Sequence, residues 1–321
     1  MSKLISCLAL VISVFCTSLL ATPPDSPSDA KALKLAAQRR YLRVQRDKAG
    51  DPIALQTSIV RFVPASGEGD VIVDLISAVH VGDASYYNTL NKQFDLYDVV
   101  LYELVAPKGT VIPKGGRKES DNPLATLMDM ARMVLKLKSQ TNAIDYTKTN
   151  FVHAESVEEL MELLKKRGEN GWTIGLSAVA DYLRQQNLKA MKEPGTGKQP
   201  RNHLEGLDLM TLILDPNSAV KVKRQMAEQF DSQDVSAGFG KTIGRIIVED
   251  RNIIAMRAFG RQLVKGKKRI AIFYGAAHNP DFEQRLIKEY GMKIQSSHWL
   301  TAWDLKLTDD SIQELFGLPK D

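Results

Sequence analysis

Two histidines occupy the same local context in this chain, each at the end of an apolar run that is typical of a buried strand. The first run, residues 70–80 (DVIVDLISAVH), ends in His80, and the second, residues 269–278 (RIAIFYGAAH), ends in His278. A short helix is predicted after each histidine. Both side chains are therefore expected just beyond the carboxyl end of a strand, where open α/β sheets place their ligands. This pattern predicts one site that contains both imidazoles.

A carboxylate is predicted at the same edge of the sheet. A third apolar run, residues 97–103 (YDVVLYE), ends in Glu103. Two imidazoles and one carboxylate are sufficient to hold a divalent metal. The alternative for each histidine taken singly is a hydrogen-bonded residue at the boundary of the core.

A helix that is predicted to begin near residue 250 precedes the second histidine run. In one interpretation Asp250 caps this helix, and Arg257 and Arg261 form its solvated face. In the other, Arg251 and Asn252 are directed toward the site, where a fixed guanidinium could hold a substrate carboxylate or stabilise an oxyanion. The sequence leaves both interpretations open.

The first 21 residues predict a secretory signal peptide, because a short basic start containing Lys3 is followed by an apolar stretch and then by Thr22 and two prolines. A retained membrane anchor is the alternative. Residues 22–40 are predicted to be a linker, and residues 41–321 the folded domain. The mature protein is expected in the periplasm or the medium.

Both cysteines, Cys7 and Cys16, lie in the predicted signal peptide. This placement excludes disulfides, cysteine nucleophiles and zinc-thiolate sites from the mature chain.

The charge pattern argues against nucleic-acid binding. The net charge is +5, and basic residues are interspersed with acidic ones, as on a solvated surface. A weak association with anionic envelope surfaces would be compatible with this balance. Nucleotide binding is not supported either, because the Gly240-Lys-Thr242 segment has Val235 in the place of the upstream glycine of a phosphate-binding loop.

Hydrophobic periodicity predicts an α/β fold with a mixed β-sheet core and a central helical insertion. A β-hairpin is predicted over residues 41–63, and a strand-helix-strand unit ends at Glu103. Residues 122–234 have helical periodicity and form the predicted insertion or cap. Within it, His153-Ala-Glu155 is interpreted as the start of a helix rather than as part of a zinc-deaminase motif, which needs cysteines. The sheet pattern returns at residue 269, followed by a helix over residues 279–290 and a last strand over residues 292–299.

Four segments resemble, in order and context, the motifs of the TraB/GumN/TIKI family, which belongs to a wider group with the erythromycin esterases and the haem-binding ChaN proteins. The segments are residues 77–80 (SAVH), 97–103 (YDVVLYE), 250–252 (DRN) and 275–278 (GAAH). The family's hallmark is two Gly-x-x-His motifs, with a strand-borne Glu after the first and an Arg-bearing helix before the second. Ser77 replaces the glycine of the first motif.

The resemblance implies an exported metal-dependent hydrolase, since the TIKI members are metal-dependent proteases. Carried over to this chain, it implies that His80, Glu103 and His278 hold manganese, cobalt or zinc, and that these residues together with Arg251 are catalytic. The metal would activate a water, Arg251 would stabilise the oxyanion, and Glu103 could instead be the general base. A peptide or protein is the substrate that the family implies.

Two further alternatives are open. A metal-free, esterase-like enzyme would use one histidine as general base, with Glu103 orienting it. A non-catalytic protein of the cell envelope would instead capture a peptide, haem or a metal, with His80 and His278 as ligands. Tyrosines near the strand ends, namely Tyr86, Tyr87 and Tyr274, could then add a ligand.

Overall fold

The structure is a computed structural model that describes residues 35–116, 132–133, 135–192, 217–232 and 240–307. The predicted signal peptide and most of the predicted linker lie outside the described residues. So does part of the predicted helical insertion, namely residues 122–131, 134, 193–216 and 233–234. These predictions stay predictions.

The core of the described chain is a seven-stranded mixed sheet. Its strands are β1 (Leu42–Arg46), β2 (Pro52–Pro64), β3 (Ile72–Ala78), β5 (Val99–Tyr102), β7 (Phe151–His153), β8 (Arg269–Gly275) and β9 (Met292–Asp304). Two short strands, β4 (Val81–Gly82) and β6 (Lys138–Ser139), pair with each other in a separate ribbon.

The order of the strands brings distant parts of the chain together. It runs β1-β2-β3-β8-β5-β7, and β9 also pairs with β2. Strands β3, β8, β5 and β7 are parallel, whereas β1, β2 and β9 pair antiparallel. The carboxyl ends of the four parallel strands consequently share one side of the sheet, called the carboxyl edge below.

Helices pack on both faces of the sheet. The helices of the described chain are α1 (Ala84–Gln93), α2 (Gln140–Ala143), α3 (Val157–Lys166), α4 (Gly171–Lys192), α5 (Ser218–Ser232), α6 (Gly240–Gly244), α7 (Arg251–Val264) and α8 (Asn279–Tyr290). Phe273 of β8 packs its ring 4.9 Å from that of Phe94, which follows α1. The next residue, Tyr274, packs 5.0 Å from Phe282 of α8. Successive strand side chains alternate between faces, so α1 and α8 lie on opposite sides of the sheet.

Most of the predicted sheet is confirmed. The hairpin is β1 and β2, the strand-helix-strand unit is β3, α1 and β5, and the second histidine run contains β8. Helix α8 ends at Tyr290 and is followed by Gly291, whose φ of 62° is the left-handed conformation that glycine adopts most readily. The last strand, β9, continues five residues past the predicted end at residue 299, to Asp304.

The predicted insertion over residues 122–234 is not wholly helical. Helices α3, α4 and α5 lie within it, but Phe151–His153 forms β7 and extends the main sheet beside β5. A three-residue strand is too short to show a period, which explains why the sequence did not indicate it. A capping box begins α3: the side chain of Ser156 accepts from the N–H of Glu159, and the side chain of Glu159 accepts from the N–H of Ser156. None of the described helices is long and apolar enough to cross a membrane.

Candidate functional site

Three of the residues predicted from sequence meet at the carboxyl edge. Glu103 directly follows β5, His278 lies three residues past β8, and Arg251 begins α7. Nη2 of Arg251 donates a hydrogen bond to Oε1 of Glu103 at 2.9 Å, and Nε2 of His278 lies 3.6 Å from the same oxygen. The Glu103 side chain is 12% exposed and that of His278 is 5% exposed. The predicted association of Glu103, Arg251 and His278 is therefore present in a site that is almost closed to solvent.

The backbone of the second histidine motif holds the Glu103 carboxylate. The N–H of Gly275 donates to Oε2 of Glu103 at 2.8 Å. A Cβ at position 275 would lie 3.3 Å from that oxygen, closer than most such contacts. The glycine of this motif thus allows the backbone to approach the carboxylate.

Asn252 fixes the orientation and the tautomer of His278. Its Nδ2 donates to the backbone oxygen of His278 at 3.0 Å and to Oδ2 of Asp281 at 2.9 Å. These two acceptors identify Nδ2, so Oδ1 is the atom that lies 2.7 Å from Nδ1 of His278. Nδ1 must therefore carry the hydrogen, and Nε2 faces Glu103.

Aromatic rings complete the surroundings of His278. Tyr274 meets the imidazole edge to face, with centroids 5.3 Å apart, and Phe282 stacks beside it at 6.3 Å. Together with the bond to Asn252, these contacts restrict rotation of the imidazole and keep Nε2 directed at the carboxylate.

A second carboxylate, Glu155, shares Arg251 with Glu103. Nε of Arg251 donates to both carboxylate oxygens of Glu155, at 3.1 Å and 3.0 Å, and Nη2 also donates to Oε1 of Glu155. Glu155 lies two residues past the end of β7, at the carboxyl edge. Because Nε and Nη2 are used by two carboxylates, Arg251 acts here as a residue that positions them. The role of oxyanion donor that the resemblance implies stays a prediction.

The two carboxyl groups have opposite pKa shifts. Burial raises the pKa of Glu155, and the nearby charge of Glu103 adds to the shift, outweighing Arg251. Burial acts in the same sense on Glu103, but His278, Arg251 and the N–H of Gly275 together hold the pKa of Glu103 well below its usual range. Glu103 is therefore ionised at neutral pH, and Glu155 is the group that takes up a proton more readily.

A second charged cluster holds the segment that precedes Arg251. The carboxylate of Asp250 is buried and accepts hydrogen bonds from Arg167 and Arg245. Arg245 also pairs with Glu169 through two bonds of 2.7 Å and 2.8 Å. Asp250 ends a π-helical turn, Arg245–Asp250, and its side chain does not cap α7. Asp250 thus occupies the N-cap position of α7, as one interpretation predicted, but its carboxylate is used by two arginines and makes no capping hydrogen bond.

His80 lies apart from these residues. Its side chain is exposed, and within the described chain it makes no hydrogen bond, ion pair or ring contact. Its backbone oxygen accepts a bond of 2.8 Å from the N–H of Gln140. In the part of the chain that the structure describes, no group of three histidine, cysteine, aspartate or glutamate residues could hold a metal ion. The metal centre of His80, Glu103 and His278 stays a prediction.

The other residues that the sequence indicated have structural contacts. Ser77, which stands in place of the first motif's glycine, accepts a 2.8 Å bond from Nδ2 of Asn279 and is buried. The hydroxyl of Tyr86 donates to the backbone oxygen of Ser77 at 2.8 Å. The hydroxyl of Tyr87 donates to the backbone oxygen of Val79, also at 2.8 Å. These two tyrosines belong to the core, whereas Tyr274 adjoins the site.

Sequence reasoning missed Glu155 as a member of the site. The sequence indicated Glu155 only as part of a His-Ala-Glu segment at the predicted start of a helix. The available signal was its position two residues after a short Phe-Val-His segment, which would have placed it at the carboxyl edge if that segment had been interpreted as a strand.

No protein-family model, curated protein or solved structure significantly matches this chain. The resemblance to the TraB/GumN/TIKI family therefore rests on the four short segments quoted above. The arrangement of Glu103, His278, Arg251 and Glu155 stands on the structure alone.

Proposed function

We propose that this protein is a hydrolase of amide or ester bonds in which His278 is the general base and Glu103 its charged partner. The observation that carries the proposal is the pairing of Nε2 of His278 with Oε1 of Glu103 at 3.6 Å, while Asn252 holds Nδ1. A histidine whose tautomer is fixed has one nitrogen free to accept a proton. The carboxylate beside that nitrogen then stabilises the positive charge of the imidazolium.

The proposed reaction uses these atoms in two steps. Nε2 of His278 accepts a proton from a water as the water oxygen forms a bond to the substrate carbonyl carbon. The imidazolium is stabilised by Glu103, which stays ionised because its pKa is lowered. The C–N or C–O bond then breaks, and the proton on Nε2 passes to the leaving nitrogen or oxygen. Water is the co-reactant, and the products are a carboxylic acid and an amine or alcohol.

Arg251 and Glu155 support this chemistry by position. Arg251 bridges the two carboxylates, and its side chain is only 8% exposed. Its charge offsets one of the two negative charges, which reduces the cost of keeping Glu103 ionised in a buried site. The low exposure also keeps bulk water away from the reacting pair.

Hydrolysis by matched variants tests this proposal. The mature chain from Thr22 would be assayed on p-nitrophenyl acetate, p-nitrophenyl butyrate and a fluorogenic peptide library. We expect the wild type to hydrolyse at least one probe, and His278→Gln and Glu103→Gln to lose about 100-fold or more in kcat. Glu162→Gln, on an exposed ion pair of α3, is the control and should keep the wild-type rate. Equal rates in all four proteins would overturn the proposal.

A metal-dependent hydrolase is the second candidate, in line with the family resemblance. The observation that favours it is again His278, whose Nδ1 bond to Asn252 leaves Nε2 available, as in many metal-binding histidines. Against a complete centre, Arg251 already donates to Oε1 of Glu103, and His80 contacts neither residue. The described residues thus bring together two of the three expected ligands, and the reaction proposed for His278 and Glu103 uses water alone as its co-reactant.

Chelation and metal analysis separate the two candidates. We expect the hydrolysis to persist after exhaustive treatment with a chelator, and elemental mass spectrometry to find less than stoichiometric metal. Loss of activity that manganese, cobalt or zinc restores would favour the metal-dependent form. In that case His80→Ala and His278→Ala should both lose the metal while their circular dichroism stays that of the wild type.

We also propose that the chain is exported and acts on a peptide or protein, as the N-terminal segment and the family resemblance suggest. Cell fractionation and N-terminal sequencing test the export, with Thr22 as the expected first residue. A binding protein is the remaining alternative. It would hydrolyse none of the probes, and a haem binder would develop a Soret band on titration with haem.

A further inference from the structure

The hydroxyl of Tyr274 is a buried hydrogen-bond donor that the fold does not use. Tyr274 is the second-to-last residue of β8, directly before Gly275, and it is 0% exposed. Among the described residues its hydroxyl has no hydrogen-bond partner. Its ring packs against His278 at 5.3 Å and against Phe282 at 5.0 Å. The ring therefore contributes packing to the site, and phenylalanine would supply the same packing.

Two other buried side-chain atoms of the described chain, Oδ1 of Asn279 and Oε1 of Gln140, also have no hydrogen-bond partner. The side chains of both residues, however, make a hydrogen bond through their other polar atom. Asn279 donates through Nδ2 to Ser77, and Gln140 donates through Nε2 to Tyr146. Tyr274 differs because its hydroxyl is its only polar side-chain atom. A buried hydroxyl without a partner lowers stability, so its presence beside the reacting pair calls for a functional reason.

The charges around the hydroxyl keep it protonated. Burial raises the pKa of Tyr274 well above its ordinary value, and the carboxylates of Glu155 and Glu103 are the charges that add most to the shift. The phenol is thus a neutral donor, on a ring that contacts the imidazole of His278. Arg251, the nearby cation, has Nε and Nη2 engaged by those same carboxylates.

We infer that Tyr274 is a further catalytic residue, whose hydroxyl donates a hydrogen bond to the oxygen of the reacting water. This inference rests on the proposed hydrolase function. As the water loses its proton to Nε2 of His278, negative charge develops on the water oxygen, and a neutral donor fixed in a closed site stabilises that charge. The tyrosine keeps its own proton throughout, and the proton balance of the reaction is unchanged.

Two tyrosine-to-phenylalanine variants test the inference on the probe that the wild type hydrolyses. Tyr274→Phe should lower kcat by about tenfold, the contribution of one hydrogen bond, with little change in KM. Its melting temperature should equal or exceed that of the wild type. Tyr97→Phe is the control, because the Tyr97 hydroxyl donates to buried Asp74 at 2.7 Å in the half of β3 remote from the carboxyl edge. It should lower the melting temperature and leave kcat unchanged.

Each outcome decides the inference. Wild-type kcat in Tyr274→Phe would overturn the inference alone, and the hydrolase proposal would stand. A Tyr274→Phe protein that is unfolded, or destabilised more than Tyr97→Phe, would also overturn it, because the hydroxyl would then have a structural role. A wild type that hydrolyses none of the probes overturns the proposed function and this inference together.

Discussion

Asn252 determines which nitrogen of His278 is available for chemistry. It is fully buried, it accepts from Nδ1 of His278, and it donates both to the backbone of the same residue and to Asp281. One amide therefore sets the tautomer of the imidazole and connects the start of α7 to the start of α8. A residue that was expected only to be directed at the site proves to orient His278, the base of the proposed reaction.

Replacing Asn252 should impair both stability and catalysis. Asn252→Ala leaves Nδ1 and the backbone oxygen of His278 without partners, so we expect a loss of about 1–3 kcal/mol in the free energy of unfolding. The imidazole could then rotate or change tautomer, and kcat should fall by about 10-fold or more. Urea denaturation and steady-state kinetics measure the two effects.

Asn91→Ala is the matched control for this variant. Asn91 also connects two segments, through bonds of 2.8 Å to Ala143 and 3.0 Å from Asp145, but it belongs to α1 on the opposite face of the sheet from α8. A similar loss of stability with an unchanged kcat is expected. If the two variants lose the same fraction of kcat, Asn252 has no specific role in orienting His278.

The opposite pKa shifts of the two carboxyl groups predict how stability depends on pH. Because the pKa of Glu155 is raised in the folded state, the folded protein holds a proton that the unfolded chain has already released. Stability contributed by this group therefore falls as pH rises from the ordinary carboxyl range to the raised value. Glu103 acts in the other sense: its contribution is complete above the ordinary carboxyl range and is lost only as the pH falls toward its lowered pKa.

Melting curves of the wild type and Glu155→Gln test this sign. The glutamine mimics the neutral acid, so the melting temperature of the wild type should fall relative to that of the variant as pH rises from about 4 to about 8. Circular dichroism at a series of pH values measures the difference. A difference that stays constant, or that changes in the wild type's favour, would show that Glu155 is ionised at least as readily as in the unfolded chain.

At the scale of the elements, the strand ends that could be predicted from sequence are those that follow long apolar runs. The ends of β3, β5 and β8 were predicted, and so was the position of Arg251 at the start of a helix. The end of β7 was not predicted, because a strand of three residues is too short to show a hydrophobic period. Glu155, which follows β7, was therefore missed as well. His80 follows a correctly predicted strand, two residues past Ala78, but it leads directly into β4, which pairs with β6 apart from the main sheet. Strand order and the conformation after each strand are tertiary properties that a local pattern does not contain.

The turn after β8 requires a glycine for reasons of space. Gly275→Ala would place a Cβ 3.3 Å from Oε2 of Glu103, so the carboxylate or the turn must shift by a few tenths of an ångström. We expect a several-fold loss in kcat and a loss of about 1 kcal/mol or less in stability, because the backbone has a negative φ of −49° that alanine can adopt. Enzyme kinetics and urea denaturation provide the measurement.

Gly175→Ala provides the comparison for that change. Gly175 lies within α4, and a Cβ there would meet no atom within 4 Å. Alanine should stabilise this helix slightly and leave kcat unchanged. Wild-type kinetics in Gly275→Ala would mean that the approach of the backbone to Glu103 is not needed for function.

At the scale of the whole molecule, the site depends on the placement of β8 between β3 and β5. Residues near position 100 and residues 251–278 meet only because this late strand enters the centre of a sheet whose other parallel strands come earlier in the chain. The pairing is of high contact order, so its loop-closure cost must be met by packing of the central strand. The stability of β8 and the assembly of the site are therefore expected to be coupled.

Phe273 allows that coupling to be measured. It is a fully buried residue of β8, and its ring packs 4.9 Å from that of Phe94. Phe273→Ala should cost about 3–5 kcal/mol in the free energy of unfolding, because it leaves a cavity in the centre of the sheet. Ile294→Ala, in β9 and 37% exposed, should cost far less. Unfolding in urea would be followed by far-UV circular dichroism and by the fluorescence of the tryptophans, which include buried Trp303. Both probes should give the same transition in each variant, and hydrolysis should be lost in that transition. If hydrolysis survives after the sheet has unfolded, the site does not depend on the central strand.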